Sequence, residues 1–129
     1  MARQKPSRPT DAELAILNVL WRRAGISIRE ISIDLKKSKP TTYATTQTLV
    51  RIMEKKGLVR RGPERYPALY YPTSTEAAAK KHLLKDFADR AFDGSIKRLM
   101  LTAVSATPKP KGNGSPWSEV QRLVEQMPE

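Results

Sequence analysis

The chain has 129 residues, a formal net charge of +11 at pH 7 and no cysteine. This length allows one domain with an appendage, or two small units that each have a limited core. Without cysteine there can be no disulfide, no thiolate metal ligand and no cysteine nucleophile.

The positive charge is concentrated in the first part of the chain. Residues 1–72 contain 15 Lys/Arg and 6 Asp/Glu, whereas residues 73–129 contain 9 and 7. A basic region suits a polyanionic partner, although a domain that is merely soluble can have the same charge. No apolar run approaches the roughly 20 residues that span a membrane, and no secretion signal is recognisable at the start. We therefore expect a cytoplasmic protein with no membrane partner.

The N-terminal elements are predicted from their caps. Residues 1–9 carry three basic side chains and two prolines, and we expect a flexible basic arm. The capping box Thr10-Asp11-Ala12-Glu13 begins a first helix, which ends at Ala24-Gly25. A second capping box, Ser27-Ile28-Arg29-Glu30, begins a short helix that ends in the basic run before Pro40.

A third helix is predicted to begin at Thr41 or Thr42 and to end at Gly57, a good helix terminator. At about 100° per residue, the helix has two different faces. The face expected to point inward carries Thr45, Leu49, Ile52, Met53 and Lys56. The opposite, polar face carries Ala44, Gln47, Thr48, Arg51 and Lys55.

Two short strands are predicted at residues 58–62 and 68–72, with a turn between them that begins at a proline. Because strand neighbours alternate, one of Tyr70 and Tyr71 should point inward. Three helices followed by a hairpin predict a mainly α-helical protein with a winged helix-turn-helix domain over residues 10–73.

In a winged helix-turn-helix the third helix enters the DNA major groove, and the hairpin reaches the phosphates. The predicted base contacts are Ala44, Gln47, Thr48 and Arg51. The predicted phosphate contacts are Lys39, Thr42, Lys55, Arg60, Arg61 and Arg65. Thr42 is expected to serve first as a helix cap. Thr45 is equally expected to pack against the core or to contact a base. A polar helix face that meets only solvent would show a similar pattern.

The C-terminal part is predicted to be helical and to pair two copies of the chain. Residues 74–104 carry broad apolar stripes that one small domain cannot bury, so we expect a dimerisation region, although folding back within one chain would also cover them. The predicted interface residues are Leu83, Leu84, Phe87, Ala91, Phe92, Ile96, Leu99 and Met100. A Pro/Gly/Lys linker at 105–115 and a short helix at 116–129 complete the chain.

No constellation of residues indicates an enzyme. The single histidine, His82, lies beside two lysines and is expected to be solvated. The sequence has no Gly-rich phosphate loop, no carboxylate pair expected in a cleft and no cluster of metal-ligating side chains. We therefore predict no catalytic residue, no metal and no cofactor.

Several segments together resemble the penicillinase repressor family, which includes the β-lactamase, methicillin-resistance and copper-transport repressors. They are TDAELAILNVLW at 10–21, TQTL at 46–49, EKKGL at 54–58, YYP at 70–72, and the run 87–101 with FDGS and LML. The resemblance covers residues 9–104. It implies a homodimeric, nucleoid-associated repressor that binds a palindromic promoter operator in double-stranded DNA.

The resemblance also implies an upstream sensor or protease. In the β-lactam branch a membrane sensor-protease triggers cleavage at an Asn-Phe pair in the dimerisation region. The matching place here reads Leu101-Thr102-Ala103-Val104. In the copper branch, metal binds paired cysteines near the C-terminus, and this chain has none.

Two other functions stay open at this stage. A non-specific architectural nucleic-acid-binding protein would bind an operator and a random duplex equally at physiological salt. A winged-helix protein-interaction module would bind a protein and would not bind DNA even at low salt. The basic third helix and hairpin favour the repressor.

Overall fold

The computed structural model describes residues 8–106 and 116–128, and the chain divides into two compact units, residues 1–79 and 80–129. The first unit contains α1 (Asp11–Arg22), α2 (Ile28–Leu35), α3 (Tyr43–Lys56), β1 (Val59–Arg61) and β2 (Tyr70–Pro72). The helix α4 (Glu76–Ala91) begins in the first unit and continues into the second, which also contains α5 (Ile96–Ala106) and α6 (Pro116–Glu125). The predicted winged helix with further C-terminal helices is confirmed.

The hairpin is an antiparallel pair that joins the core through β2. Arg60 pairs with Tyr71 in the register, and Arg61 pairs with Tyr70. On its other side β2 bonds to the segment between α1 and α2, where the Tyr70 amide donates to the Ile26 carbonyl at 2.9 Å. Tyr70 is the inward-pointing tyrosine, and both strands are shorter than predicted.

One hydrophobic core holds the first unit together. It takes side chains from all three helices and from the hairpin: Ile16, Leu17, Val19, Leu20, Ile26, Ile31, Leu35, Val50, Met53, Val59 and Tyr70. Their spacing of three and four residues along the helices puts them on the inner faces.

The caps of α1 and α3 form as predicted. The Glu13 amide donates to Thr10 Oγ1 at 3.2 Å, and the Thr10 amide donates to Glu13 Oε1 at 2.9 Å, which completes the capping box. Thr42 caps α3 by accepting from the Thr45 amide at 3.1 Å. Gly57 ends α3 in the left-handed conformation, with φ +81°.

The second capping box is only half formed. Ser27 Oγ accepts from the Glu30 amide at 3.3 Å. The Glu30 carboxylate instead lies 3.7 Å from the Arg23 guanidinium, an ion pair that sequence spacing alone did not indicate.

The inward face of α3 was predicted wrongly at Thr45 and Ile52, which are both exposed. The buried residues are Thr46, Val50 and Met53. Thr46 tolerates complete burial because its hydroxyl donates to the Thr42 carbonyl at 3.1 Å, so no polar group is left without a partner. The buried face of α3 is therefore centred on Thr46, Val50 and Met53, rotated away from the face that hydrophobicity predicted.

In the second unit, α5 packs against α6 and buries Leu99, Val104 and Val124. Ser95 caps α5 by accepting from the Arg98 amide at 3.1 Å. The helix continues to Ala106, slightly beyond the end of the predicted dimerisation region at residue 104. Most of the predicted arm and linker lie outside the described residues. Over the described ranges no helix is long and apolar enough to cross a membrane.

A buried ion pair joins the start of α1 to the end of α3. Glu13 is only 2% exposed, and its two carboxylate oxygens accept from Lys56 Nζ at 2.8 and 3.1 Å. Burial raises the pKa of Glu13, but hydrogen bonds from Lys56 and Thr10 outweigh it, and the pKa lies below its ordinary value. The capping residue Glu13 thus also clamps the third helix.

We expect Lys56→Met to destabilise the protein, because it leaves the Glu13 carboxylate buried without its ammonium partner. The loss of unfolding free energy at pH 7, measured by urea denaturation, should be about 1.5–3 kcal/mol, as for a hydrogen bond to a charged group. The exposed neighbour is the matched control: Lys55→Met should change stability by less than about 0.5 kcal/mol.

The pH dependence has a defined sign. Since the pKa of Glu13 is depressed in the folded state, its stabilisation is complete above the ordinary value of 4.5 and is lost as pH falls through the lower, folded-state pKa. Lys56→Met should remove this acid-sensitive stabilisation, whereas Lys55→Met should retain it. Equal effects of the two substitutions would contradict the role of the pair.

Candidate nucleic-acid interface

The outer face of α3 is a continuous ridge. Ala44, Thr48, Arg51 and Lys55 are all exposed, and their spacings of four, three and four residues place them along one side of the helix. Gln47 is half-buried at the edge of this ridge. The structure therefore brings the four predicted base-contacting residues to one side of α3.

A groove runs between α3, the start of α2 and the hairpin. Arg29 from α2, Arg51 from α3, and Arg61 and Arg65 from the hairpin segment line it together with Gln47. We call the groove that these five residues line the basic groove. No acidic residue is among its described lining residues. Four arginines from α2, α3 and the hairpin segment thus line one groove beside the exposed ridge of α3.

Arg61 is held in position by the core tyrosine opposite it. Its Nη2 donates to the Tyr70 hydroxyl at 3.1 Å, and its guanidinium carbon lies 5.7 Å from the centre of the Tyr70 ring. That hydrogen bond raises the pKa of Arg61, and charge interactions with Tyr70 and Glu54 raise it further. The Arg61 guanidinium therefore stays positively charged, and its contacts with Tyr70 restrict where it can point.

Arg60 does not join its neighbour. The Arg60 guanidinium lies over the Tyr71 ring at 4.6 Å, and the residue lines a separate cleft that includes Trp21. Adjacent residues of a strand point to opposite faces, so Arg60 and Arg61 cannot both face the basic groove. The sequence grouped the two arginines by their chemistry, and the structure places them on different faces of the hairpin.

The N-terminal end of α3 gathers further positive charge. Lys36 lies beside residues 40–43 at this end, and Lys39 is exposed nearby. Because the first amides of a helix have no partner within it, they can bind an anion. Thr42 caps this end and is itself exposed.

Arg29 and the exposed aromatic residues of the groove were not predicted from the sequence. Arg29 had appeared only as part of a capping motif, yet the packing of α2 on α3 brings it to the groove. Tyr43 and Tyr66 also line the groove, and Tyr66 is 96% exposed in the turn of the hairpin. A rule that the start of the second helix lies over the third would have identified Arg29.

The predicted dimer residues differ in how exposed they are within one chain. Within one chain, Leu84, Phe87, Ala91 and Ile96 are exposed, and Leu83, Phe92 and Met100 are half-buried. Leu99 is already buried within the chain. Phe87 and Phe92 contact each other edge to face, with ring centres 5.9 Å apart.

The described residues contain no cluster of three or more side chains that could hold a metal ion. His82 is exposed on α4.

A winged-helix domain with a basic groove beside its third helix has the architecture of a DNA-binding regulator. The chain belongs to the penicillinase repressor family, whose model matches residues 9–125. This family consists of transcriptional repressors and not of enzymes, which confirms the predicted family and class of function.

Individual relatives are distant but cover most of the chain. The penicillinase repressor of Staphylococcus aureus is 27% identical over 90 residues, 70% of this chain and 71% of that protein. The penicillinase repressor of Bacillus licheniformis is 26% identical over 92 residues, 71% of this chain and 72% of that protein. The methicillin resistance regulatory protein MecI of Staphylococcus aureus strain N315 is 25% identical over 95 residues, 74% of this chain and 77% of that protein.

One solved structure is also similar. It is the solution structure of the Bacillus licheniformis BlaI monomeric form in complex with the blaP half-operator, with 28% sequence identity and a TM-score of 0.49. The match covers 58% of this chain and 92% of that one.

Proposed function

We propose that the chain is a homodimeric repressor that binds a two-fold symmetric operator in double-stranded DNA. The observation that carries this proposal is the convergence of four arginines and Gln47 on one groove beside the exposed ridge of α3. Relatives named as a penicillinase repressor and a methicillin resistance regulatory protein support it. The protein would act in the cytoplasm, on the nucleoid.

The exposed ridge of α3 fits the major groove, which admits one α-helix. Arg51 can donate two hydrogen bonds to a guanine, and Gln47 can pair with an adenine. Ala44 and Thr48 lie on the same ridge, one and two turns N-terminal to Arg51, and would meet neighbouring bases.

Phosphate contacts would come from both sides of the ridge. Arg61 and Arg65 lie on the hairpin side, together with Arg29 from α2. Lys55, Lys39 and the capped end at Thr42 complete the proposed set. We leave Arg60 out of it, because its guanidinium lies on Tyr71 on the other face of the hairpin.

Two copies would associate through the apolar surface of the second unit. Leu84 is 52% exposed and Phe87 46% exposed, and both line a shallow apolar depression on α4. A second copy of the chain would cover these side chains on both partners at once, as a two-fold axis requires. Two winged helices related in this way would contact half-sites separated by whole turns of about 10 bp.

In vitro selection of DNA duplexes tests the proposed function directly. The full chain should enrich a two-fold symmetric consensus. Gln47→Ala and Arg51→Ala should each relax preference at one position per half-site, with a loss of about 1–3 kcal/mol for the preferred duplex. Lys37→Ala, which removes a basic residue that follows α2 and is paired with Asp34, is the control and should leave the consensus unchanged. Equal binding of all duplexes would favour the architectural alternative.

If the hairpin binds phosphates through one face only, Arg65 and Arg60 should differ in their contribution to DNA affinity. Arg65→Ala should weaken binding to the selected duplex and reduce the slope of log affinity against log salt by about 0.9. Arg60→Ala removes the same charge from the opposite face and should leave that slope nearly unchanged. Fluorescence anisotropy at several salt concentrations measures both. Equal reductions for the two variants would show that the hairpin binds DNA through both faces or acts only by net charge.

The dimer surface can be tested with a pair of leucines. Leu84→Gln should weaken self-association by at least about 100-fold, because each dimer loses two buried leucines. Leu123→Gln is the control, since Leu123 is an equally exposed leucine, 57%, on α6 outside the proposed interface. Sedimentation equilibrium measures the association. A larger effect of Leu123→Gln would move the interface to α6.

A further inference from the structure

The threonine hydroxyls of α3 are largely used within the helix. Thr48 Oγ1 donates to the Ala44 carbonyl at 3.1 Å, and Thr46 Oγ1 donates to the Thr42 carbonyl at 3.1 Å. Thr42 Oγ1 donates to Thr45 Oγ1 at 2.9 Å. A helix face that looks polar in sequence is therefore less able to donate hydrogen bonds than its composition indicates.

Thr48 matters most, because it lies in the middle of the exposed ridge. A hydroxyl has one proton, and that of Thr48 is directed to a backbone carbonyl four residues earlier. With the hydroxyl engaged by the helix backbone, the methyl group is the other branch of this exposed side chain and is available to a ligand. Ala44, one turn earlier, presents a methyl group on the same side.

We infer that Ala44 and Thr48 form a methyl pair that recognises thymine through its C5-methyl group. This inference rests on the proposed function, and it identifies a base that the ridge selects. The thymine methyl is the apolar group on the major-groove edges of the base pairs. Positions i and i+4 are separated by about 6 Å along the helix axis. The two methyl groups can therefore contact thymines in neighbouring or next-neighbouring base pairs.

A competing role for Thr48 makes opposite predictions. Its oxygen keeps lone pairs and could accept a hydrogen bond from an amino group of adenine or cytosine. In that case the hydroxyl recognises the base. Thr48→Ser would then keep the base preference, and Thr48→Val would lose it. If the methyl group recognises the base, Thr48→Val keeps the base preference and Thr48→Ser loses it. Both substitutions are at an exposed position, and circular dichroism can verify that the variants fold.

The experiment is a pair of selections with the full chain, one from a duplex pool made with thymine and one from a pool made with uracil. Uracil lacks only the methyl group. We expect the thymine pool to enrich thymine at one or two positions of each half-site, and the uracil pool to lose that preference while it keeps the guanine assigned to Arg51. In single selected duplexes, each relevant thymine-to-uracil change should weaken binding about fourfold.

Variants of Thr48 test whether this residue causes the sensitivity to uracil. Thr48→Val should retain the sensitivity to uracil, and Thr48→Ser should lose it at one position. Identical affinities for the thymine and uracil duplexes would overturn the inference, as would a Thr48→Ser protein with unchanged sensitivity. If neither pool yields a consensus, the proposed sequence-specific function has failed and the inference fails with it. A consensus without sensitivity to uracil would overturn the inference alone.

Discussion

The rest of the interface depends on one constraint, which is that α3 is held in a fixed orientation about its own axis. Thr46, Val50 and Met53 are buried against α1 and α2, so the helix cannot turn without exposing them. One residue of rotation is about 100°, enough to carry Arg51 and Thr48 off the exposed face. The ion pair between Lys56 and Glu13 also fixes the C-terminal end of α3 to the start of α1. Packing and charge together therefore determine which side chains are available to a ligand.

The hairpin completes the groove because β2 is anchored on both sides. Its bonds to β1 and to Ile26 hold Tyr70 in the core, and Tyr70 in turn holds Arg61. The strand alternation that directs Arg61 into the basic groove directs Arg60 onto Tyr71. A two-stranded sheet thus divides two adjacent, chemically identical residues between different surfaces.

Local features of this chain could be predicted from sequence, and features that depend on packing between helices could not. The caps at Thr10 and Thr42 and the terminator Gly57 involve atoms three or four residues apart, so their patterns were sufficient. The pairing of Glu13 with Lys56 joins residues 43 positions apart, and nothing in either local sequence indicates it. Hydrophobic periodicity placed Leu49 and Met53 inward but also Ile52, which is exposed, and it left out Thr46, which is buried because its hydroxyl is bonded within the helix.

The ion pairs of the first unit reduce its positive charge at some surfaces and not at others. Lys56 is paired with Glu13, and Arg23 and Lys37 lie near the carboxylates of Glu30 and Asp34. Over the described part of the chain, Arg29, Arg51 and Arg65 enter no such pair, so the side of the basic groove keeps its positive charge. A polyanion approaching from solution would turn this side toward itself before contact, because long-range attraction acts on the whole charge distribution. The internal salt bridges would thereby increase the fraction of encounters that begin in the correct orientation.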